Sequence, residues 1–520
     1  MIKVFVNEPE LDFSIEENKK AMEEALALVH TQFGKEYPLY IDGEKIFTEK
    51  KIKSINPCKK EEVVGYASSA SREQADAAIR AAYKAYDTWR FVPQQVRCDY
   101  LQRLVGIMRK RRAEIAAWMI YESGKNFGEA DGEVCEAIDF INSYCIEAQR
   151  LADEGVPLVE SKTENNRCEY RPIGVGIIIP PWNFPFSIMV GMAMAAVVTG
   201  NTVVIKPASD TPVVANKFME MCVEAGLPSG VVNLVTGSGG EIGDFLVEHP
   251  LTRFINFTGS MEVGIRINRL AANVNPGQIW LKRVVAEMGG KNAIIIDSSA
   301  DLEHAANGVI TSAYGYQGQK CSACSRAIVL ENVYDEFVEL IKKKAEDLKS
   351  KMGEGKDNAP FNAVISQHAF NNIVKYIEQG KKEGKLICGG GYDDSKGFYI
   401  EPTIIIDVDP KTAVIAKEEI FGPVLAVIKV KTFQEAIEVA NGTPYGLTGA
   451  VYTNNRDNIN MAKALFHVGN LYINRKSTGA VVGHHPFGGY NMSGTTAKTG
   501  TRDYLYNFLQ LKSISENIAW

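Results

Sequence analysis

The stretch that decides the fold is residues 174–259, where four apolar segments read GVGIIIP (174–180), TVVIKP (202–207), VVNLVTG (231–237) and FINFTG (254–259). Segments long enough for helices separate them. Short strands that alternate with helices predict βαβ crossovers and a parallel sheet. Continuously apolar strands are typical of a sheet that is covered on both faces. We therefore expect a doubly wound α/β fold.

The same alternation returns after Met288. NAIIID, RAIVL and AVIKV are predicted as further strands, with helices between them, in a second α/β unit that runs to about residue 475. The first 150 residues indicate mainly helices, with apolar spacings of three and four in 72–88 and 95–122 and a short strand-and-turn section at 39–43. A chain of 520 residues fits two or three domains.

Composition excludes several classes of protein. The chain has 45% hydrophobic and 23% charged residues and a net charge of -6, with scattered basic residues, so we expect no nucleic-acid partner. Its longest apolar stretch, 186–198, is shorter than the ~20 residues that span a bilayer, and the N-terminus lacks a signal-peptide core. We expect no membrane association, a cytoplasmic location (or an organelle matrix after trimming), and nine free thiols.

The phosphate-binding signal is unusual. Neither the G-x-G-x-x-G fingerprint nor a P-loop is present; the string from Gly237 to Gly243 puts its last glycine one residue late. The turn from Gly259 to Gly264 follows a predicted strand and opens a helix, and there Ser260 could donate to a phosphate oxygen. Alone, this turn is more simply a tight βα connection. Three such loops, however, follow successive strands at the edge where doubly wound sheets bind ligands.

Seven motifs, spread in order over residues 40–505, together resemble the aldehyde dehydrogenase superfamily: PWNFP (181–185), KPAS (206–209), FTGSMEVG (257–264), EMGGK (287–291), GQKC (318–321), EIFGP (419–423) and PFGG (486–489). The resemblance implies two doubly wound parallel-sheet domains plus a small oligomerisation extension. The expected division is an NAD-binding domain of residues 1–155 and 174–286, a catalytic domain of 287–475, and an oligomerisation segment of 156–173 and 502–520. A homodimer or a dimer-based oligomer is the family's habit.

The resemblance also implies NAD as the cofactor. Lys206 would bond the adenosine ribose, Ser260 the pyrophosphate, and Glu419 and Phe421 the nicotinamide riboside. Many NAD-preferring members carry Glu where Ser209 stands, so weaker repulsion of a 2′-phosphate predicts that NADP is tolerated. The implied cofactor-binding residues are Pro181, Trp182, Lys206, Ser209, Gly237, Gly259, Ser260, Gly264, Glu419 and Phe421.

Aldehyde oxidation explains the implied catalytic residues. The carbonyl carbon is sp2, so a nucleophile must add before hydride can leave, and a thiolate at Cys321 would do so and leave a thioester. Glu287 would deprotonate the hydrolytic water, which favours a free acid over acyl transfer to coenzyme A. Asn183 and the Cys321 N–H would hold the oxyanion. Cys321 and Cys324 also form a C-x-x-C, but no second such pair accompanies it, so no metal site is predicted.

The strings around Cys321 and at 475–480 and 487–494 look like the branch of the family that oxidises L-glutamate γ-semialdehyde in proline and arginine breakdown. Hydroxyl and backbone donors suit that substrate's α-carboxylate. The expected substrate-binding residues are Glu136, Phe184, Lys320, Ser322, Gly479, Ala480 and Phe487. Thr496 and Thr501 depart from the branch pattern, which puts subunit contacts in doubt. Another small aldehyde, such as succinic semialdehyde, and an inactive structural relative stay open as alternatives.

Overall fold

The computed structural model describes residues 4–519, and within them two seven-stranded sheets form the frame. The strands of the first sheet, in spatial order, are Arg283–Glu287, Thr252–Thr258, Val175–Ile179, Thr202–Ile205, Val232–Leu234, Leu39–Ile41 and Glu44–Ile46. The first five are parallel, and the last two join antiparallel. All four strands expected within 174–259 are therefore neighbours in one sheet, which confirms the doubly wound prediction.

Helices cover this sheet on both faces. They are Glu16–His30, Arg72–Trp89, Gln94–Lys110, Arg112–Ser123, Phe127–Glu154, Ser187–Val198, Pro212–Glu224, Asp244–Glu248 and Met261–Ala271. Capping boxes fix the starts of two of them: Ser71 pairs with Gln74, and Asn126 pairs with Glu129. The apolar segment 187–198 is a helix buried on nearly every side, because it packs against the 28-residue helix Phe127–Glu154. No helix within residues 4–519 is long and apolar enough to cross a membrane.

The second sheet contains the strands expected after residue 288. In spatial order it consists of Lys385–Cys388, Thr403–Ile406, Val424–Val430, Cys324–Leu330, Asn292–Ile296, Thr448–Tyr452 and Asn470–Ile473. Only the first of these strands is antiparallel to its neighbour. The helices that flank it are Leu302–Tyr314, Tyr334–Ser350, Gln367–Glu383, Phe433–Asn441 and Arg456–Leu465.

Three smaller sheets lie outside this frame in residues 4–519. Lys35–Tyr37, Lys51–Asn56 and Lys59–Ser68 form a three-stranded sheet, so the mainly helical interpretation of the first 150 residues was incomplete. The strand Lys59–Ser68 begins with four charged residues, which weakens the alternation that would have revealed it. Glu164–Pro172 pairs antiparallel with Leu509–Asn517, across more than 300 residues of chain. A short helix, Arg502–Leu505, precedes that last strand, and Tyr392–Asp393 pairs with Tyr399–Ile400.

Candidate active site

Cys321 lies in a tightly held loop between helix Leu302–Tyr314 and strand Cys324–Leu330. Tyr316 and Gln317 precede it with φ of 51° and 54°, a left-handed conformation that costs energy in residues with a Cβ. Two hydrogen bonds offset that cost. The Tyr316 hydroxyl donates to the Ser123 carbonyl at 2.8 Å, and the Tyr316 backbone N–H donates to the Glu129 carboxylate at 2.8 Å. The Cys321 carbonyl accepts from the Asn292 amide at 2.7 Å. The loop thus holds the sulfur in one place.

The Cys321 thiol is protonated in this environment. Burial raises its pKa to about 12, and the carboxylates of Glu419 and Glu287 act in the same direction. The N–H groups of Ser322 and of Cys321 itself oppose the rise but do not cancel it. Burial and the two carboxylates therefore disfavour the thiolate form of Cys321.

Glu287 ends the outer strand of the first sheet and faces the same cavity as Cys321. Its Oε2 accepts from the Gly489 N–H at 3.3 Å, whereas Oε1 is buried and accepts no hydrogen bond from residues 4–519. Glycine is required around it, since a Cβ at Gly488 or Gly494 would lie within about 3.1 Å of its oxygens. Burial raises the Glu287 pKa well above its usual value, and the Lys498 ammonium only partly opposes this. The carboxyl can therefore exchange a proton nearer neutral pH than an exposed glutamate.

Asn183 follows strand Val175–Ile179 and is 3% exposed. Its side-chain amide donates to the Gln319 carbonyl at 3.0 Å, two residues before Cys321. Its own carbonyl accepts from the Lys125 ammonium at 2.6 Å. The structure thus brings the thiol and the carboxyl to one cavity, whereas the Asn183 amide bonds the loop that carries the thiol and does not line that cavity.

A cavity of about 460 Å³ opens in front of Cys321 and Glu287. It is lined by all seven residues expected to bind substrate: Glu136, Phe184, Lys320, Ser322, Gly479, Ala480 and Phe487. Gly479 has φ 74°, which glycine adopts readily. The Lys476 ammonium also faces the cavity, and its pKa is lowered by burial and by the ammonium of Lys320. Two cations that repel each other across a cavity favour an anion between them.

Several lining residues were missed by the sequence interpretation. Lys125 is one, although a lysine and a glycine that end an otherwise buried helix were a usable signal. The N-terminal segment is the other, with Asn7, Glu8 and Glu10 in the cavity wall. The Asn7 amide donates to Asp139 at 2.7 Å and to the Val482 carbonyl at 3.0 Å. No local pattern could have revealed contacts across more than 130 residues of chain.

The residues expected to bind the cofactor do not line that cavity; most of them follow the carboxyl ends of the strands of the first sheet. Pro181 and Trp182 follow one strand, and Lys206 and Ser209 follow the next; Gly237, Gly259, Ser260 and Gly264 lie after two others. A Cβ at Gly264 would lie 2.4 Å from the sulfur of Met288, so this position requires glycine for packing. Glu419 and Phe421 come from the second sheet, directly before strand Val424–Val430.

The chemistry of these groups fits a dinucleotide. Lys206 is 6% exposed, its ammonium bonds only the Pro207 carbonyl, and burial lowers its pKa to about 8. Ser260 caps the 11-residue helix Met261–Ala271, whose N-terminus favours negative charge. The rings of Trp182 and Phe421 meet edge to face at 5.4 Å. Glu419 accepts from the Gly290 N–H at 2.8 Å, and burial raises its pKa to about 7.

The second cysteine of the C-x-x-C is accounted for by an ordinary bond. The Cys324 thiol donates to the Arg326 carbonyl at 3.4 Å. Over residues 4–519, His, Cys, Asp and Glu do not gather in groups of three or more that could hold a metal ion.

Residues 44–514 match the aldehyde dehydrogenase family, and the chain belongs to that family. Its relatives include the 1-pyrroline-5-carboxylate dehydrogenase of Geobacillus sp. (strain WCH70), 53% identical over 517 residues that cover 99% of this chain and 100% of the relative. The protein of that name from Bacillus mycoides (strain KBAB4) is 53% identical over 521 residues, with 100% of each chain covered. The solved structure of 1-pyrroline-5-carboxylate dehydrogenase from Thermus with bound NAD has a TM-score of 0.98 and 49% identity, covering 99% of this chain and 100% of that one.

Proposed function

We propose that this protein oxidises L-glutamate γ-semialdehyde, the open form of 1-pyrroline-5-carboxylate, to L-glutamate with NAD as its cofactor. One observation carries the proposal: a single cavity is lined by the thiol of Cys321, the carboxyl of Glu287 and two lysines, Lys320 and Lys476. A substrate with an aldehyde at one end and a carboxylate at the other matches that arrangement. The names of the relatives at 53% identity agree with it.

The reaction we derive begins at Cys321. Its sulfur, which lines the cavity, bonds to the carbonyl carbon, and its proton is released to solvent water. The amide of Asn183 and the N–H of Cys321 stabilise the resulting oxyanion. Bound NAD supplies the hydride acceptor. Glu287 then takes a proton from water, which cleaves the thioester and releases the acid and the thiol.

The far end of the cavity selects the amino acid portion of the substrate. The Ser322 hydroxyl and the backbone N–H groups of Gly479 and Ala480 would hold the α-carboxylate, with the two lysines supplying charge. Glu136 would face the α-ammonium; burial raises its pKa to about 7, and a nearby cation would favour its ionised form. Phe184 and Phe487 would enclose the methylene groups between the two ends.

The test compares kcat/KM for three aldehydes. We expect glutamate γ-semialdehyde to exceed both succinic semialdehyde and propanal by at least about 100-fold, because unpaired polar groups in a site penalise analogues that lack their partners. A higher kcat/KM for succinic semialdehyde would reassign the substrate. Failure of iodoacetamide to alkylate Cys321, together with no NADH from any aldehyde, would indicate an inactive relative.

NADP use depends on Ser209. We propose that NADP is tolerated, because Ser209 is exposed and carries no charge to repel a 2′-phosphate. Replacing Ser209 with Glu is expected to lower kcat/KM for NADP by about 10-fold or more, because each 1.4 kcal/mol of repulsion is a factor of ten, and to leave NAD use little changed. Ser209→Ala is the matched control and should keep the wild-type ratio. Initial rates that show no NADP turnover by the wild type would contradict the proposal.

We propose a homodimer or a larger dimer-based assembly. The sheet of Glu164–Pro172 and Leu509–Asn517 supports it, because the last strand is almost wholly exposed and a lone two-stranded sheet is marginally stable in water. The predicted segments 156–173 and 502–520 contain this sheet, and we keep the domain division of 1–155 with 174–286, and 287–475, as part of the proposal. A mass of one chain measured by light scattering would contradict the proposed dimer.

A cytoplasmic location is likewise proposed, supported by nine cysteines that are all free.

A further inference from the structure

Lys125 and Glu133 form a fully buried ion pair beside the active site. Lys125 is 1% exposed and Glu133 2% exposed, and the ammonium lies 3.4 Å from Oε2 of the carboxylate. Lys125 follows the helix Arg112–Ser123, and Glu133 lies on the next helix, Phe127–Glu154. A buried pair of this kind adds little net stability, since an apolar pair of the same volume often serves as well. Its presence therefore calls for a role other than holding the fold together.

Every bond that this pair makes beyond itself reaches the segment 183–187. Lys125 donates to the Asn183 carbonyl at 2.6 Å. Glu133 Oε1 accepts from the N–H groups of Phe186 at 2.7 Å and Ser187 at 3.1 Å. The pair thus forms hydrogen bonds with the backbone on both sides of the turn between Asn183 and helix Ser187–Val198.

The same ammonium also touches the loop of the nucleophile. It lies 3.5 Å from the ring centroid of Tyr316 and 4.4 Å from that of Phe184, both within the range of cation–π attraction. Tyr316 is one of the two residues held in the left-handed conformation ahead of Cys321. The Lys125 ammonium therefore contacts both the segment that carries the Asn183 amide and the loop that carries the Cys321 sulfur.

We propose that Lys125 and Glu133 are positioning residues that fix the Asn183 side-chain amide at the oxyanion. The proposal rests on the proposed function in one respect, the role of Asn183 as oxyanion donor. An amide that stabilises a developing charge must be placed before the charge forms, because reorganisation during the reaction would consume the benefit. Removing Lys125 frees the Asn183 carbonyl, and the amide on the same residue moves with it.

The test uses p-nitrophenyl acetate, which needs neither NAD nor an amino aldehyde. The Cys321 sulfur bonds to the acetyl carbon and its proton is released to solvent water, the ester C–O bond breaks, p-nitrophenolate leaves, and water later hydrolyses the thioester. We expect Lys125→Met to slow p-nitrophenolate release about 100-fold, the loss typical of a donor displaced by ~1 Å. Alkylation of Cys321 by iodoacetamide forms no oxyanion, so its rate should stay close to that of the wild type.

Lys217 offers a matched control. It is 6% exposed, pairs with Glu220 at 3.1 Å, and lies over the rings of Tyr37 and Trp118 at 5.0 and 4.9 Å. Lys217→Met removes an equally enclosed lysine from outside the cavity lining, so acylation should remain near the wild-type rate. Equal slowing in both variants would overturn the proposal, because it would mean that loss of any buried lysine disturbs the site.

A double-mutant cycle shows whether Lys125 acts through Asn183. With Asn183→Ala already in place, adding Lys125→Met should change acylation by less than about threefold, because coupled residues are not additive. Additive losses would overturn the proposal. If Lys125→Met does not fold, Glu133→Ala replaces it in the same cycle, because it removes the acceptor for the N–H groups of Phe186 and Ser187 and should slow acylation only while Asn183 is present. A wild type that hydrolyses the ester but leaves glutamate γ-semialdehyde unoxidised would reject the substrate proposal and leave this one standing.

Discussion

Replacing Cys321 with alanine is expected to abolish aldehyde oxidation, with kcat falling by more than about 10⁴-fold, as when other enzymes lose their covalent nucleophile. The reason is chemical: without the sulfur no tetrahedral adduct forms, and an sp2 aldehyde carbon cannot release hydride. Stopped-flow measurement of NADH with glutamate γ-semialdehyde should show neither a burst nor a steady-state phase.

Cys324→Ala is the matched control for this loss. Cys324 is 1% exposed and its thiol bonds only the Arg326 carbonyl, so its removal should leave oxidation near the wild-type rate. Binding of NAD should still raise the melting temperature of Cys321→Ala, because ligands that bind the native state stabilise it. Substantial NADH formation by Cys321→Ala would refute the assignment of the nucleophile.

Replacing Glu287 with glutamine is expected to separate the two halves of the reaction. The steady-state rate should fall by about 10²–10⁴-fold, the usual contribution of a general base, while one equivalent of NADH per subunit still appears in a burst. The thioester then accumulates, because an amide cannot take a proton from water. Trapping the acylated protein by mass spectrometry would detect it. Unchanged steady-state turnover would exclude Glu287 as the base for water.

The control for Glu287 is Glu122, another buried carboxyl with a raised pKa. Its oxygens accept hydrogen bonds from the Ser54 hydroxyl and from the N–H groups of Val213 and Val214, far along the chain from the catalytic motifs. Glu122→Gln should keep both the burst and the steady-state rate.

The pH dependence of stability provides a second test of Glu287. Because the folded pKa of Glu287 is raised, the stability that its protonated form contributes is present below the unfolded pKa and is lost as pH rises through the folded pKa. Glu287→Gln cannot ionise, so its melting temperature relative to the wild type should rise from pH 5 to pH 9.

The parallel sheets were predictable from sequence because burial on both faces demands uninterrupted apolar strands, and GVGIIIP and NAIIID meet that demand in a few residues. Glu287 and Asn183 lie at or after the carboxyl ends of parallel strands of the first sheet, which meet at one edge, whereas Cys321 precedes strand Cys324–Leu330 and was predicted from the motif GQKC. Cys321 and Glu287 line one cavity and the Asn183 amide bonds the loop of Cys321, and the roles of all three stay predictions.

What escaped prediction depends on contacts between distant parts of the chain. Lys125 is bonded to Asn183, 58 positions away, and no local spacing encodes that. The strand Lys59–Ser68 carries too many charges to show a clear alternation, and pairing with Lys51–Asn56 decides its conformation instead. A pKa of about 12 at Cys321 was equally hidden, because it arises from burial and from carboxylates supplied by two other motifs.

The N-terminal segment has a consequence for the order in which the protein is assembled. The Asn7 amide bonds the carbonyl of Val482, which is synthesised 475 residues later. The Asp139 carboxylate accepts hydrogen bonds from the Asn7 side-chain amide and from the N–H of Glu8. The wall that this segment contributes is therefore completed only after Val482 has been synthesised, so a nascent chain cannot enclose an aldehyde before that point.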